Sequence, residues 1–226
     1  VQYHKCSGNL PKLEFTKKVI MNHSSKLFTS MLLMPLAAFS AMAAELGDWP
    51  QFRGPNSDGH VKNVASPLEW SDSKSVAWKM AIPGLGWSSP ALAQGKVFLT
   101  TAVPNEGGLS LRALALDAKT GKIVWEREVR AIAKAPKIHS KNSHASPTPV
   151  VRDGSVFVHF GAQGMASLAA ADGAIQWTNF ELDYPPVHGS GGSPVFHDGK
   201  LVIVCDGSTK PFVAAIDAKT GKVAWK

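Results

Sequence analysis

A nine-residue phrase occurs twice in this chain, as Asp117-Ala118-Lys119-Thr120-Gly121-Lys122-Ile123-Val124-Trp125 and as Asp217-Ala218-Lys219-Thr220-Gly221-Lys222-Val223-Ala224-Trp225. The copies lie 100 residues apart, and a weaker copy ending in Gly173-Ala174-Ile175-Gln176-Trp177 falls between them, so the period is about 50 residues. A repeat of that length restricts the chain to architectures that reuse one supersecondary unit, above all propellers and solenoids.

Each unit opens on a Ser-Pro step, Ser89-Pro90, Ser146-Pro147 or Ser193-Pro194, and continues to a glycine turn at Gln94-Gly95, Asp153-Gly154 or Asp198-Gly199. Such pairs supply the positive φ angles of a tight hairpin. The strands after these turns, around Val97-Phe98-Leu99, Val156-Phe157-Val158 and Leu201-Val202-Ile203-Val204, are apolar almost throughout, as expected of strands covered on both faces. A third strand, rich in Ala, runs from Leu111 to Leu116 and again from Phe212 to Ile216. The repeated phrase follows, and the unit closes on its Trp strand. Four short antiparallel strands per unit is the propeller-blade pattern, and no stretch of residues 44–226 keeps the i, i+3, i+4, i+7 apolar spacing of a helical repeat. The sequence therefore predicts an all-β propeller with blades at about residues 86–130, 143–180 and 190–226.

The repeated phrase has a mechanical reading. Asp117 and Asp217 accept from backbone amides ahead of them, the Thr hydroxyls do the same, and Gly121 and Gly221 take the left-handed conformation that ends the turn. Each Trp is then expected at the side of its blade, buried against the next one with its indole N–H on backbone. The middle copy has Ala169 where the others have Asp, and Asp172 where they have Thr.

At the N-terminal end, residues 1–20 read as an upstream extension foreign to the native protein, and residues 21–43 as a signal peptide. Met21 is the start, Lys26 the charged region, Leu27 to Phe39 the apolar region, and Ala41-Met42-Ala43 the cleavage site. The apolar run is too short and interrupted for a membrane span. Residues 44–74 form an arm, whose Trp49 and Phe52 are expected on the propeller side, and residues 75–80 around Trp78 are expected to be a closing strand one period ahead of Trp125. Residues 1–43 hold five Lys and one Glu, so of 24 basic and 17 acidic residues 19 and 16 remain, a balance of +3 with no basic stripe to argue for nucleic acid. Cys205 is then the lone cysteine, read as a buried thiol.

The repeated phrase, the Ser-Pro openings and the blade spacing resemble the PQQ-like (pyrroloquinoline-quinone-type) repeat. That repeat is shared by quinoprotein dehydrogenases and by scaffold propellers similar to the assembly factor BamB. The resemblance implies a seven- or eight-bladed ring, of which about three blades are present, with Trp78, Trp125, Trp177 and Trp225 as its docking tryptophans. It also implies an exported protein of bacterial type, periplasmic or extracellular. A dehydrogenase of this kind would carry PQQ and calcium, a catalytic Asp and commonly a pair of adjacent Cys. No such pair exists here, and no cluster of carboxylates falls at matching places in the three units. The reading is therefore a non-catalytic scaffold without catalytic, cofactor or metal residues, binding a protein or small-molecule ligand at the propeller face. A quinoprotein dehydrogenase is the alternative. Trp87, His144 and Gly191 each precede a Ser-Pro step by two residues and are expected to ring the funnel mouth at one level, with His188 on a long neighbouring connection. Their spacing matches no metal motif.

Because the middle turn lacks the first cap, hydrogen exchange at residues 169–174 is expected to be faster than at 117–122 and 217–222; equal protection in all three would contradict the assignment.

Overall fold

The computed structural model describes residues 47–62 and 66–226. The predicted upstream extension and signal peptide lie outside the described residues. Three four-stranded antiparallel sheets follow one another in chain order. The first holds β1 (Ala91–Ala93), β2 (Lys96–Pro104), β3 (Leu109–Asp117) and β4 (Ile123–Ile132), and the second β5 (Val150–Arg152), β6 (Ser155–His159), β7 (Met165–Ala169) and β8 (Ile175–Asn179). The third holds β9 (Val195–His197), β10 (Lys200–Cys205), β11 (Phe212–Asp217) and β12 (Val223–Trp225). They are successive blades of a β-propeller, with the short first strands toward the hub and the Trp strands at the rim. Among the described residues no helix is long and apolar enough to cross a membrane.

The first hairpin of each blade turns on two left-handed residues. Gln94 and Gly95 have φ of 51° and 69°, Asp153 and Gly154 51° and 76°, and Asp198 and Gly199 45° and 69°. That pairing suits the right-handed twist of the flanking strands. With these turns superposed, β1, β5 and β9 start together at Ala91, Val150 and Val195, which aligns Ser89 with Thr148 and Ser193. The middle unit thus opens on Thr148-Pro149 and not on Ser146-Pro147. The stretch Ser146-Pro147-Thr148-Pro149 offers two hydroxyl-Pro steps, and the hairpin geometry selects the second.

The repeated phrase forms the turn between the third and fourth strands and also receives the preceding blade. Asp117 Oδ1 accepts from the Lys119 and Thr120 amides and the Thr120 hydroxyl, and Asp217 repeats the arrangement. In the middle blade Asp172 Oδ1 accepts from the Ala174 amide instead. The indole N–H of Trp78 donates to the Ala118 carbonyl at 3.1 Å, that of Trp125 to Ala170 at 3.2 Å and that of Trp177 to Ala218 at 2.9 Å. The same rings lie on the turn glycines. A Cβ on Gly121 would stand 2.4 Å from the Trp78 ring, one on Gly173 2.7 Å from Trp125, and one on Gly221 2.5 Å from Trp177. Only glycine permits that approach, and its positive φ of 71° to 73° adds a second reason.

The apolar cores lie between blades. Phe98, Leu111 and Trp125 of the first blade pack with Val156, Val158 and Leu168 of the second. Phe157 and Met165 of the second pack with Leu201, Ile203 and Ile216 of the third. The far face of the third blade is uncovered, with Val195, Val204, Val213 and Trp225 all exposed. Cys205 is fully buried, and burial pushes its thiol up to about 11.

Residues 75–80 pair with no sheet among the described residues, and Trp78 is seated on the first blade. One expectation is corrected. The arm lies not on the propeller side but across the hub edge. Trp49 and Leu92 of β1 exchange both backbone hydrogen bonds, at 2.7 and 2.8 Å, and the Val151 amide of β5 donates to the Pro50 carbonyl at 2.8 Å. The hub edges of short inner strands present unpaired backbone groups, and the arm satisfies them.

Trp125→Ala is expected to cost about 3–5 kcal/mol in urea unfolding, as a buried aromatic truncation does, whereas Trp225→Ala should stay within about 0.5 kcal/mol, as for an exposed position. Similar losses for both would contradict the inter-blade role of the ring.

Candidate functional site

Where the three blade openings converge, the arm closes one side of a cavity of about 510 Å³. Gln51, Phe52, Arg53 and Ser57 form its arm wall, Trp87 and Ser89 come from the entry to the first blade, and Ser146 and Thr148 from the entry to the second. Gly191, Gly192 and Ser193 come from the entry to the third. The blade entries are tied to each other by a relay. The Ser89 amide donates to the Thr148 hydroxyl at 3.2 Å, and the Thr148 amide to the Ser193 hydroxyl at 2.9 Å. Each hydroxyl accepts from a neighbouring blade, which leaves its own proton directed elsewhere.

Trp87 is fixed by its amide, which donates to the Ala145 carbonyl at 3.0 Å, while its ring is 62% exposed. On the arm, Arg53 has a left-handed φ of 61°, the Gly59 amide donates to its carbonyl, and its guanidinium donates to the Asp58 carbonyl at 3.1 Å. Gly54 follows at φ 81° and lies on the Trp49 ring, where a Cβ would meet carbon at 2.7 Å. Arg53 and Lys141, which also borders the cavity, take part in no ion pair among the described residues.

The level expected for Trp87, His144 and Gly191 is corrected by the two-residue phase of the middle unit. Trp87, Ser146 and Gly191 are the equivalent positions, and all three border this cavity. His144 instead borders a second cavity of about 330 Å³, with Asp183, Tyr184 and Ser190. Burial holds its imidazole below the ordinary histidine value. Tyr184 is buried and pushed up to about 12 by that burial, with the Ser190 hydroxyl beside it at 3.4 Å. His188 sits edge-on to His139 at 5.3 Å, at the contact between the two long connections. Asn142 fastens that contact, donating to the His188 and Ser190 carbonyls. No three His, Cys, Asp or Glu converge among the described residues.

Sequence reasoning missed the arm as part of the site. The phrase Asp48-Trp49-Pro50-Gln51-Phe52-Arg53-Gly54-Pro55 carried the signal, since an isolated aromatic pair beside Arg-Gly asks for a docking partner.

A family profile described as "Outer membrane protein assembly factor BamB" matches residues 58–226. The chain belongs to this family. This BamB-family chain is 28% identical over 116 residues to the outer membrane protein assembly factor BamB of Moranella endobia (strain PCIT), covering 51% of the chain and 26% of that protein. It is also 25% identical over 165 residues to a polyvinylalcohol dehydrogenase of a Pseudomonas species, covering 67% of the chain and 24% of that protein. Among solved structures, BamB from Moraxella catarrhalis is similar with a TM-score of 0.43 and 18% identity, covering 67% of the chain and 39% of that structure. The chain thus spans about a quarter of the length of the curated relatives named here.

His159, at the end of β6, is 1% exposed, and neither ring nitrogen reaches a hydrogen bond of full geometry. Burial lowers its pKa to about 4, and the Gly192 and Gly161 carbonyls facing it oppose only part of that. Above the ordinary value of about 6.5 both folded and unfolded chains hold it neutral. Below that the unfolded chain takes up a proton that the folded one refuses, so stability falls from about pH 6.5 to pH 4 by about 3 kcal/mol and then levels. In urea titrations His159→Gln should flatten this segment of the profile; parallel profiles for the two proteins would contradict it.

Proposed function

We propose that the chain is part of an exported, non-catalytic propeller that works as a binding scaffold, taking its ligand in the cavity between the blade entries and the arm. The cavity's composition carries this reading. Hydroxyls, amides, two cations and an exposed indole meet there without a carboxylate, imidazole or thiol. General acid–base work near neutral pH draws mainly on carboxylates and imidazole, and covalent catalysis needs an activated nucleophile. A rigid frame presenting polar loops around a concavity is, in contrast, the ordinary form of a binding site.

A second reading, a quinoprotein dehydrogenase, is favoured by the names of some relatives, among them a quinohemoprotein alcohol dehydrogenase of Pseudomonas putida with 26% identity over 226 residues. It meets an obstacle in the donor set. Calcium takes six to eight oxygen ligands, carboxylates prominent among them, and the cavity wall supplies none.

The two readings separate in one assay. Incubated with PQQ and calcium, the protein should develop no cavity-dependent quinone absorbance and reduce no dye when primary alcohols are added. Alcohol-dependent dye reduction that is lost in Arg53→Gln would overturn the scaffold reading.

A further inference from the structure

We propose that the cavity beside the arm is a saccharide subsite selective for a carboxylated sugar, a uronate unit of an acidic glycan; this rests on the binding-scaffold reading above. The wall offers hydroxyl donors and two cations but no carboxylate. Thr148 and Ser193 each accept an amide from the relay, and no group among the described residues takes their own protons. Arg53 and Lys141 add two cations with no acidic partner on the wall. A complementary ligand is rich in acceptor oxygens and carries negative charge, and a guanidinium matches a carboxylate with two parallel hydrogen bonds.

The apolar component selects the body of that ligand. Trp87 is 62% and Phe52 51% exposed, yet the two rings form no aromatic pair, so the site presents single faces and not a slot between two rings. A planar aromatic acid gains most from being sandwiched. A pyranose, with one C–H face and a rim of hydroxyls, needs a single aromatic platform with polar groups at its edge. The volume, about 510 Å³, is that of a small-molecule pocket and too small for a folded partner. Arg53 is tethered beside the cavity by one guanidinium hydrogen bond to the Asp58 carbonyl at 3.1 Å, which leaves its other N–H groups for a ligand.

Isothermal titration of the chain with trigalacturonate, cellotriose and hexaglutamate tests the assignment. Trigalacturonate should bind, cellotriose about tenfold more weakly, and Arg53→Gln should weaken the acidic sugar about tenfold while leaving cellotriose unchanged, as loss of a charge-assisted pair implies. Trp87→Ala should weaken both sugars and remove the change in tryptophan fluorescence on binding. Both side chains are exposed, so matched thermal midpoints are expected for the variants. Absence of trigalacturonate binding, or binding indifferent to both substitutions, overturns the proposal. If hexaglutamate binds in an Arg53-dependent way where trigalacturonate does not, the sugar assignment fails and the scaffold reading stands; if alcohol-dependent dye reduction appears with PQQ and calcium, the scaffold reading itself fails.

Discussion

The seating of an indole on the next blade's turn is the contact on which the rest of the molecule depends. A four-stranded sheet of this kind has two apolar faces and cannot bury both alone, so each blade is stable only against its neighbours. The indole contributes twice to that contact. Its ring covers the turn glycine and its N–H satisfies a carbonyl that the turn leaves free. Both partners are specified by one short phrase, which explains why the phrase recurs with so little change at Asp117–Trp125 and Asp217–Trp225.

That seating sets the angle between blades and therefore the geometry at the hub. Once Trp125 and Trp177 place the sheets, Ser89, Thr148 and Ser193 come within hydrogen-bond reach across the blade entries, and the relay among them lines the cavity. The arm completes the wall by pairing Trp49 with β1 and Pro50 with β5. The cavity is thus a consequence of rim packing, assembled from segments far apart in sequence by contacts that are largely apolar. Its polar groups face inward because the hydroxyls beside Pro90, Pro149 and Pro194 stand just before the inner strands begin.

Much of this was legible in the chain. The period, the four strands, the positive-φ hairpins at Gln94-Gly95, Asp153-Gly154 and Asp198-Gly199, and the turn roles of Asp117 and Gly121 all follow from local chemistry that the sequence displays directly. The site was less legible, for two physical reasons. The doubled step Ser146-Pro147-Thr148-Pro149 left the register of the middle unit undetermined by two residues, and only the shared hairpin position resolves it, moving His144 to the other cavity. The arm's destination depends on unpaired backbone edges at β1 and β5, which side-chain patterns do not reveal.

Side-chain hydrogen exchange of the tryptophan indole N–H groups, resolved by nitrogen-15 NMR, tests the central contact most directly. The indole protons of Trp78, Trp125 and Trp177, each donated to the adjoining turn, should be slow to exchange, while that of the exposed Trp225 should exchange at the rate of a free indole. Fast exchange at Trp125 and Trp177 in the folded chain would contradict the account.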